Sequence, residues 1–534
     1  MKENVWNADL GNGYYKNPIL YTDYSDPDVI RVGEDYFMVA SSFCNTPALP
    51  VLHSKDLVNW KVINYVLDSV PEERYEKPMH GCGVWAPSIR YHEGIYYVCV
   101  GMPDEGIYMS TTTDPFGSWS EAINIRPGAG WIDPCPFWDE DGNAYLVAGV
   151  AKSRIGYKSI LNMVRMTPDG TSVFGEEVKI FDGNLNGQET IEGPKMYKKN
   201  GYYYIFAPAG GVKPGWQTVL RSRDVWGPYE YKIVLRQGDT EINGPHQGGW
   251  IDTVTGEDWF IHFQDVFAAG RITHLQPMTW KDDWPIIGVA QEGKEYGEPV
   301  LEYKKPNVGA TYEITSPSTS DDFSGEKLGL QWQWNANYNK DWYKIDTTKQ
   351  VLQLHSVSHP NEIPLSEIPN LLIQKWPAPT FTATTKMNLS HLITKDRAGY
   401  MSMGIRFGGL LVEKHESGYE LLSILGEQEF DQQVVTASQE VNKIAKFTQE
   451  EIYFRYEVIS VGYRTNTEEK IENAPQEKII FSYSLDGSEY KEALSFLAEA
   501  GRWVGVKSGV VCYREDNKVG GYAEVEYVKY ASGN

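Results

Sequence analysis

The sequence predicts an all-β protein, a five-bladed β-propeller followed by a jelly-roll-like β-sandwich. Three observations carry the prediction. The 534 residues include 17 Trp, 35 Tyr, 18 Phe and 50 Gly, and rings suit a pleated surface while glycine supplies the dihedrals of tight turns. A unit of two short strands opening on a residue-proline pair occurs five times. Beyond residue 303 that unit stops and a different strand pattern begins.

The five units are consistent in order. The first runs from Asp26-Pro27 through Val29 to Val32, turns at Gly33-Glu34-Asp35 and continues as Tyr36-Phe37-Met38-Val39. The second opens at Ala86-Pro87 and turns at Glu93-Gly94, and the third opens at Asp133-Pro134 and turns at Gly142. The fourth opens at Gly193-Pro194 with its turn at Asn200-Gly201, and the fifth at Gly244-Pro245 with a longer turn ending at Gly256. The prolines at 27, 87, 134, 194 and 245 are 47 to 60 residues apart, about the length of a four-stranded blade. Proline cannot donate to a ladder, so a strand entrance is where it is tolerated. Ser54-Lys55-Asp56 with Trp60, Asp114-Pro115-Phe116-Gly117 and Ser222-Arg223-Asp224 fit outer hairpins of the blades.

The organisation that follows is a propeller over residues 1–305, a linker over 306–320 rich in Ser, Thr and Pro, and a sandwich over 321–534. With 49 basic and 72 acidic residues the net charge is −23. Such a chain repels polyphosphate and anionic lipid, so nucleic acid and membrane are not expected partners. Met1 to Lys16 is polar and does not read as a leader. The expected compartment is cytoplasmic as written, or secreted or periplasmic if a leader was removed. Cys44, Cys82, Cys99, Cys135 and Cys512 have no CxxC spacing and read as reduced, mostly buried thiols. A homo-oligomer is left open.

The first strand of each blade lines the propeller axis, so residues at the five entrances converge although they are far apart in sequence. Asp26, Trp85 with Ala86, Asp133, Glu192 and His246 stand there. Three acids brought together cannot all ionise easily, because like charge and burial raise at least one pKa. A protonated carboxyl beside an ionised one is what hydrolysis of a glycosidic bond requires. Any one Asp-Pro or Glu-Gly-Pro could be a plain turn, but three acids at equivalent repeat positions point to a site.

Ser25-Asp26-Pro27-Asp28-Val29-Ile30, Val84-Trp85-Ala86-Pro87-Ser88, Trp131-Ile132-Asp133-Pro134, Ile191-Glu192-Gly193-Pro194-Lys195 and Asn243-Gly244-Pro245-His246-Gln247-Gly248 together resemble glycoside hydrolase family 43. Asp321-Asp322-Phe323 and Trp332-Gln333-Trp334-Asn335 resemble the opening of the sandwich that accompanies many of its β-xylosidases and α-L-arabinofuranosidases. The resemblance implies that Asp26 is the general base, Glu192 the general acid and Asp133 the carboxylate that orients Glu192 and adjusts its pKa. It implies inversion at the anomeric carbon, with the Asp26 and Glu192 carboxyls about 6.5 to 9.5 Å apart to admit a water. Trp85 and Phe43 match positions that line the sugar subsite, and Arg271 matches a substrate-binding arginine. His246 resembles an axial histidine often found beside calcium, so a structural calcium is an expectation at that residue. No cofactor is required for the chemistry. Glu524 stands where Asp is expected, which puts any cation site of the sandwich at that position in doubt.

The leading expectation is an inverting, exo-acting glycosidase that releases terminal β-D-xylose or α-L-arabinofuranose from xylan-derived oligosaccharides. The competing reading is a carbohydrate-binding propeller that has lost catalysis, and the three intact carboxylates argue against it.

Overall fold

The structure, a computed structural model, describes residues 5–359, 363–431, 434–466 and 471–533. Five antiparallel four-stranded meanders in chain order form the propeller. Their innermost strands are Asp28–Val32, Trp85–His92, Trp131–Trp138, Lys195–Lys199 and His246–Asp252. The fourth sheet is wider than the repeat predicts, because Gly297–Glu298 adds to its outer edge in parallel, pairing Leu235 with Gly297.

Each blade is covered on both faces by its neighbours, which explains why the second strands are continuous apolar runs rather than alternating ones. Ala144–Val150 is buried at every position. The wedge between blades 1 and 2 is filled by Phe37, Val39, Ile89 and Val98. Between blades 4 and 5 the filling is Phe206, Val219, Phe260 and Trp284. Blades 5 and 1 meet through Ile251, Trp259, Val29 and Met38, and Arg31 on blade 1 pairs with Asp252 on blade 5 at 2.6 Å.

The N-terminal segment completes the ring. Leu20 exchanges backbone hydrogen bonds with Thr273, and Asn17 does the same through its side chain with Leu275. Tyr14–Lys16 pairs with Glu302–Lys304.

Two sheets make the C-terminal sandwich. One contains Leu372–Lys375, Lys507–Arg514, Asp396–Met403, Arg406–His415, Gly418–Asp431 and Val434–Phe447; the other contains Val351–His355, Tyr522–Ser532, Phe381–Asn388, Glu451–Asn466, Ile471–Ser484 and Lys491–Leu497. Their inner faces enclose a core that includes Trp376, Tyr400, Phe454 and Val525. Glu524 Oε1 accepts from Lys349 (2.8 Å) and Gln353 (3.2 Å), so side chains of the protein itself occupy this oxygen. All five cysteines are buried and unpaired.

The sandwich grips the propeller next to the axis. Thr46 and Trp334 exchange backbone hydrogen bonds, Gln333 donates to Ser42, and Lys507 donates to Asn45 at 2.7 Å. The loop from Ser41 to Pro47 is therefore held from the side of the second domain.

Candidate active site

The residue before each repeated proline has a left-handed backbone. Its φ is 55° at Asp26, 41° at Ala86, 55° at Asp133, 58° at Gly193 and 44° at Gly244. This conformation costs an ordinary L-residue about 1–2 kcal/mol, and Asp tolerates it better than most. The ladders skip residues between Trp85 and Ser88, Ile132 and Cys135, and His246 and Gly248. Such bulges re-aim side chains, and here they lie where the strands leave the hub.

Asp26 is 3% exposed. Its Oδ1 accepts from Arg271 Nη1 at 2.9 Å, and its Oδ2 accepts from the hydroxyls of Ser41 (2.6 Å) and Ser25 (3.2 Å). Ser41 Oγ in turn accepts the backbone N–H of Ala86 at 2.8 Å, so a hydroxyl of blade 1 is fixed by the entrance of blade 2. Asp133 receives the backbone N–H of Gly193 (2.9 Å) and the side-chain amide of Gln247 (3.2 Å), both on Oδ2. Gly193 has no room for a side chain, because an added Cβ would stand 2.7 Å from Gln247 Cγ. Glu192 is the most accessible of the three acids, its side chain 22% exposed, and its Oε1 lies 3.1 Å from His246 Nε2.

The electrostatics separate the acids. Burial raises the Glu192 pKa, the Asp133 charge adds to the rise, and Arg271 opposes it. Burial also raises Asp133, with the Asp26 charge adding, but Lys195, the Gly193 N–H and Arg271 all favour its ionised form. The Glu192 carboxyl contacts the imidazole of His246, which burial keeps neutral by pushing its pKa well below the usual value, and only the more distant charges of Arg271 and Lys158 favour its anion. The proton of the pair therefore belongs on Glu192, where fewer donors favour the anion.

The aromatic and cationic residues expected from the sequence are also at the hub. Phe43 (φ 55°) is buried with its ring centroid 6.0 Å from that of half-buried Trp85. Gly83 makes this approach possible, since a Cβ there would lie 2.3 Å from the Phe43 carbonyl oxygen. Arg271 is no surface residue: it is 6% exposed and lies over the Phe263 ring at 4.9 Å. Among the described residues the buried Trp85 Nε1, Arg271 Nε and His246 Nδ1 make no hydrogen bond, although Arg271 Nε lies 3.8 Å from Asp265 Oδ2.

The imidazole of His246 itself brings no oxygen ligand, and calcium takes about six to eight of them. The ring meets Glu192 and Phe263, and among the described residues no group of three His, Cys, Asp or Glu side chains could hold a metal ion.

Several residues at the site carry no signal in the repeat pattern. Trp503, from the sandwich, places its ring 6.0 Å from the Arg271 guanidinium. Asp23 accepts the backbone N–H of Arg271 (2.9 Å) on one oxygen and that of Gly505 (2.8 Å) on the other. Gln247 sits inside the motif of the fifth entrance and Ser41 lies two residues before Phe43, but only their contacts reveal what they hold.

With three acids on one axis, an arginine on the first and an imidazole on the third, the chain matches Glycosyl hydrolases family 43 over residues 15–285. The chain belongs to glycoside hydrolase family 43. Residues 320–531 of this family 43 protein match the Beta xylosidase C-terminal Concanavalin A-like domain. Over 506 residues it is 38% identical to a putative beta-xylosidase of Xylanibacter ruminicola, covering 94% of this chain and 87% of that one. It is 30% identical to a non-reducing end alpha-L-arabinofuranosidase of Bacteroides ovatus, covering 74% of each. Among solved structures, a bifunctional GH43-CE of Bacteroides eggerthii superposes with a TM-score of 0.79 at 27% identity, covering 97% of this chain and 64% of that one. Family 43 enzymes hydrolyse glycosides with inversion, and this chain is a glycoside hydrolase.

Proposed function

We propose that this enzyme is an exo-acting glycosidase that removes terminal β-D-xylose or α-L-arabinofuranose from xylan-derived oligosaccharides in one inverting displacement. The observation that carries the reading is the division of labour among the acids. Asp26 is fixed by Arg271 and two hydroxyls, whereas Glu192 is more exposed and has a raised pKa. In this mechanism Asp26 removes a proton from a water as its oxygen attacks the anomeric carbon. Glu192 gives its proton to the departing glycosidic oxygen on the opposite face, and the products are a free sugar of inverted configuration and a shortened saccharide. Asp133 stays ionised and holds the proton on Glu192 until that step.

Trp85 and Phe43 supply apolar surface for the sugar ring. Trp503 supports exo action, because an aromatic residue from the second domain beside Arg271 walls one side of the pocket. The names of the relatives support xylose and arabinofuranose as the sugars. The test is hydrolysis of nitrophenyl β-D-xyloside and α-L-arabinofuranoside, followed by proton NMR of the first product formed from xylo-oligosaccharides. A terminal pentose of inverted anomeric configuration is expected. Tight binding without release of nitrophenol would favour a binding protein instead.

A further inference from the structure

Lys195 is the first residue of the inner strand of blade 4 and is fully buried on the propeller axis. Its Nζ donates to Ser88 Oγ (2.9 Å) and to the Pro87 carbonyl (3.3 Å), and both acceptors are neutral. A buried ammonium costs several kcal/mol unless a charge nearby offsets it. The other buried ions of the axis balance each other: Asp28 pairs with Arg90 at 2.6 Å.

Two bonded paths tie Lys195 to Asp133. Ser88, which holds the ammonium, donates to the carbonyl of Pro134 (2.6 Å), the residue after Asp133. On the other side, Gly193, two residues before Lys195, donates its N–H to the Asp133 carboxylate. The titratable groups that feel this cation are Cys99 of blade 2 and Asp133 of blade 3, while the nearby Asp28 of blade 1 is already paired with Arg90 of blade 2. Tyr197 lies on its own strand, and blade 5 brings the neutral Gln247 to Asp133. Asp133 is the acid among them with no contacting cation.

We propose that Lys195 is a positioning residue for catalysis, the buried counter-charge that keeps Asp133 ionised so that the shared proton stays on Glu192. The proposal rests on the roles assigned above and adds a group that never meets substrate. Without the ammonium, Asp133 competes for the proton, and the active arrangement of one protonated and two ionised acids forms only at higher pH.

The test is the pH profile of kcat/KM on nitrophenyl β-D-xyloside for the wild type, Lys195→Met and Lys195→Arg, with thermal melting to verify folding. Lys195→Met is expected to move the acidic limb up by about one pH unit, and Lys195→Arg to bring it back. A folded Lys195→Met whose acidic limb overlays the wild type would overturn the proposal. If Met is not tolerated, carbon-13 titration of labelled Asp and Glu carboxyls in the wild type reads the same point. Asp133 ionising before Glu192 supports the counter-charge, and the reverse order overturns it. Failure of the role assignment reads differently, as Glu192→Gln hydrolysing unactivated xylobiose at the wild-type rate, and it removes the basis of the proposal.

Discussion

Trp503 of the C-terminal sandwich stands 6.0 Å from the guanidinium of Arg271, the side chain that fixes Asp26. The two domains are thus joined at the catalytic hub itself. Asp23 makes the junction rigid by accepting a backbone N–H from each side, Arg271 of the propeller and Gly505 of the sandwich. Val506 adds a backbone hydrogen bond to Ala268 at 2.7 Å.

Trp503→Ala removes the aromatic wall while leaving the acids in place. It is expected to lower kcat/KM on xylobiose by about tenfold, chiefly through KM, as loss of a ring contact with the sugar does. Steady-state kinetics with Trp503→Phe alongside would check this, since a retained ring should retain most of the activity.

Glu192→Gln and Asp26→Asn separate the two proton transfers. Glu192→Gln should cost about 10²–10⁴-fold on natural oligosaccharides and much less on aryl glycosides, whose leaving groups need little protonation. Asp26→Asn should disable both substrate classes. Near-normal turnover by Asp26→Asn would show that another group activates the water.

Ser41 bonds Asp26 and is itself bonded by Ala86 N–H. Ser41→Ala should reduce kcat by about tenfold while destabilising the fold by no more than ~1–2 kcal/mol. A rate unchanged within error would mean that Arg271 and Ser25 suffice to hold the carboxylate.

The raised pKa of Glu192 also makes a stability statement. The folded state retains this proton above the unfolded value of about 4.3, so its contribution is fully present below that pH and is lost as pH rises toward the folded pKa. Glu192→Gln removes the titration and should be more stable than the wild type by at least ~1 kcal/mol at alkaline pH, with the difference shrinking toward pH 4. Thermal melts across pH would reveal the trend, and a parallel pair of curves would contradict it.

Much of this could be read from the chain alone. Five proline-led units specify five blades because each unit is a local object, with its turn residues and apolar strands adjacent in sequence. From that count alone Asp26, Asp133 and Glu192 must meet, since propeller geometry brings strand entrances together. The tertiary structure decided what those acids do. Ser41, Gln247 and Lys195 act through contacts that reach other blades, Asp23 reaches Gly505 across 482 residues of sequence, and Trp503 comes from the second domain to Arg271. Periodicity records which face a residue occupies, whereas proton location depends on which donors and charges finally surround each carboxylate, and only the packed fold determines that.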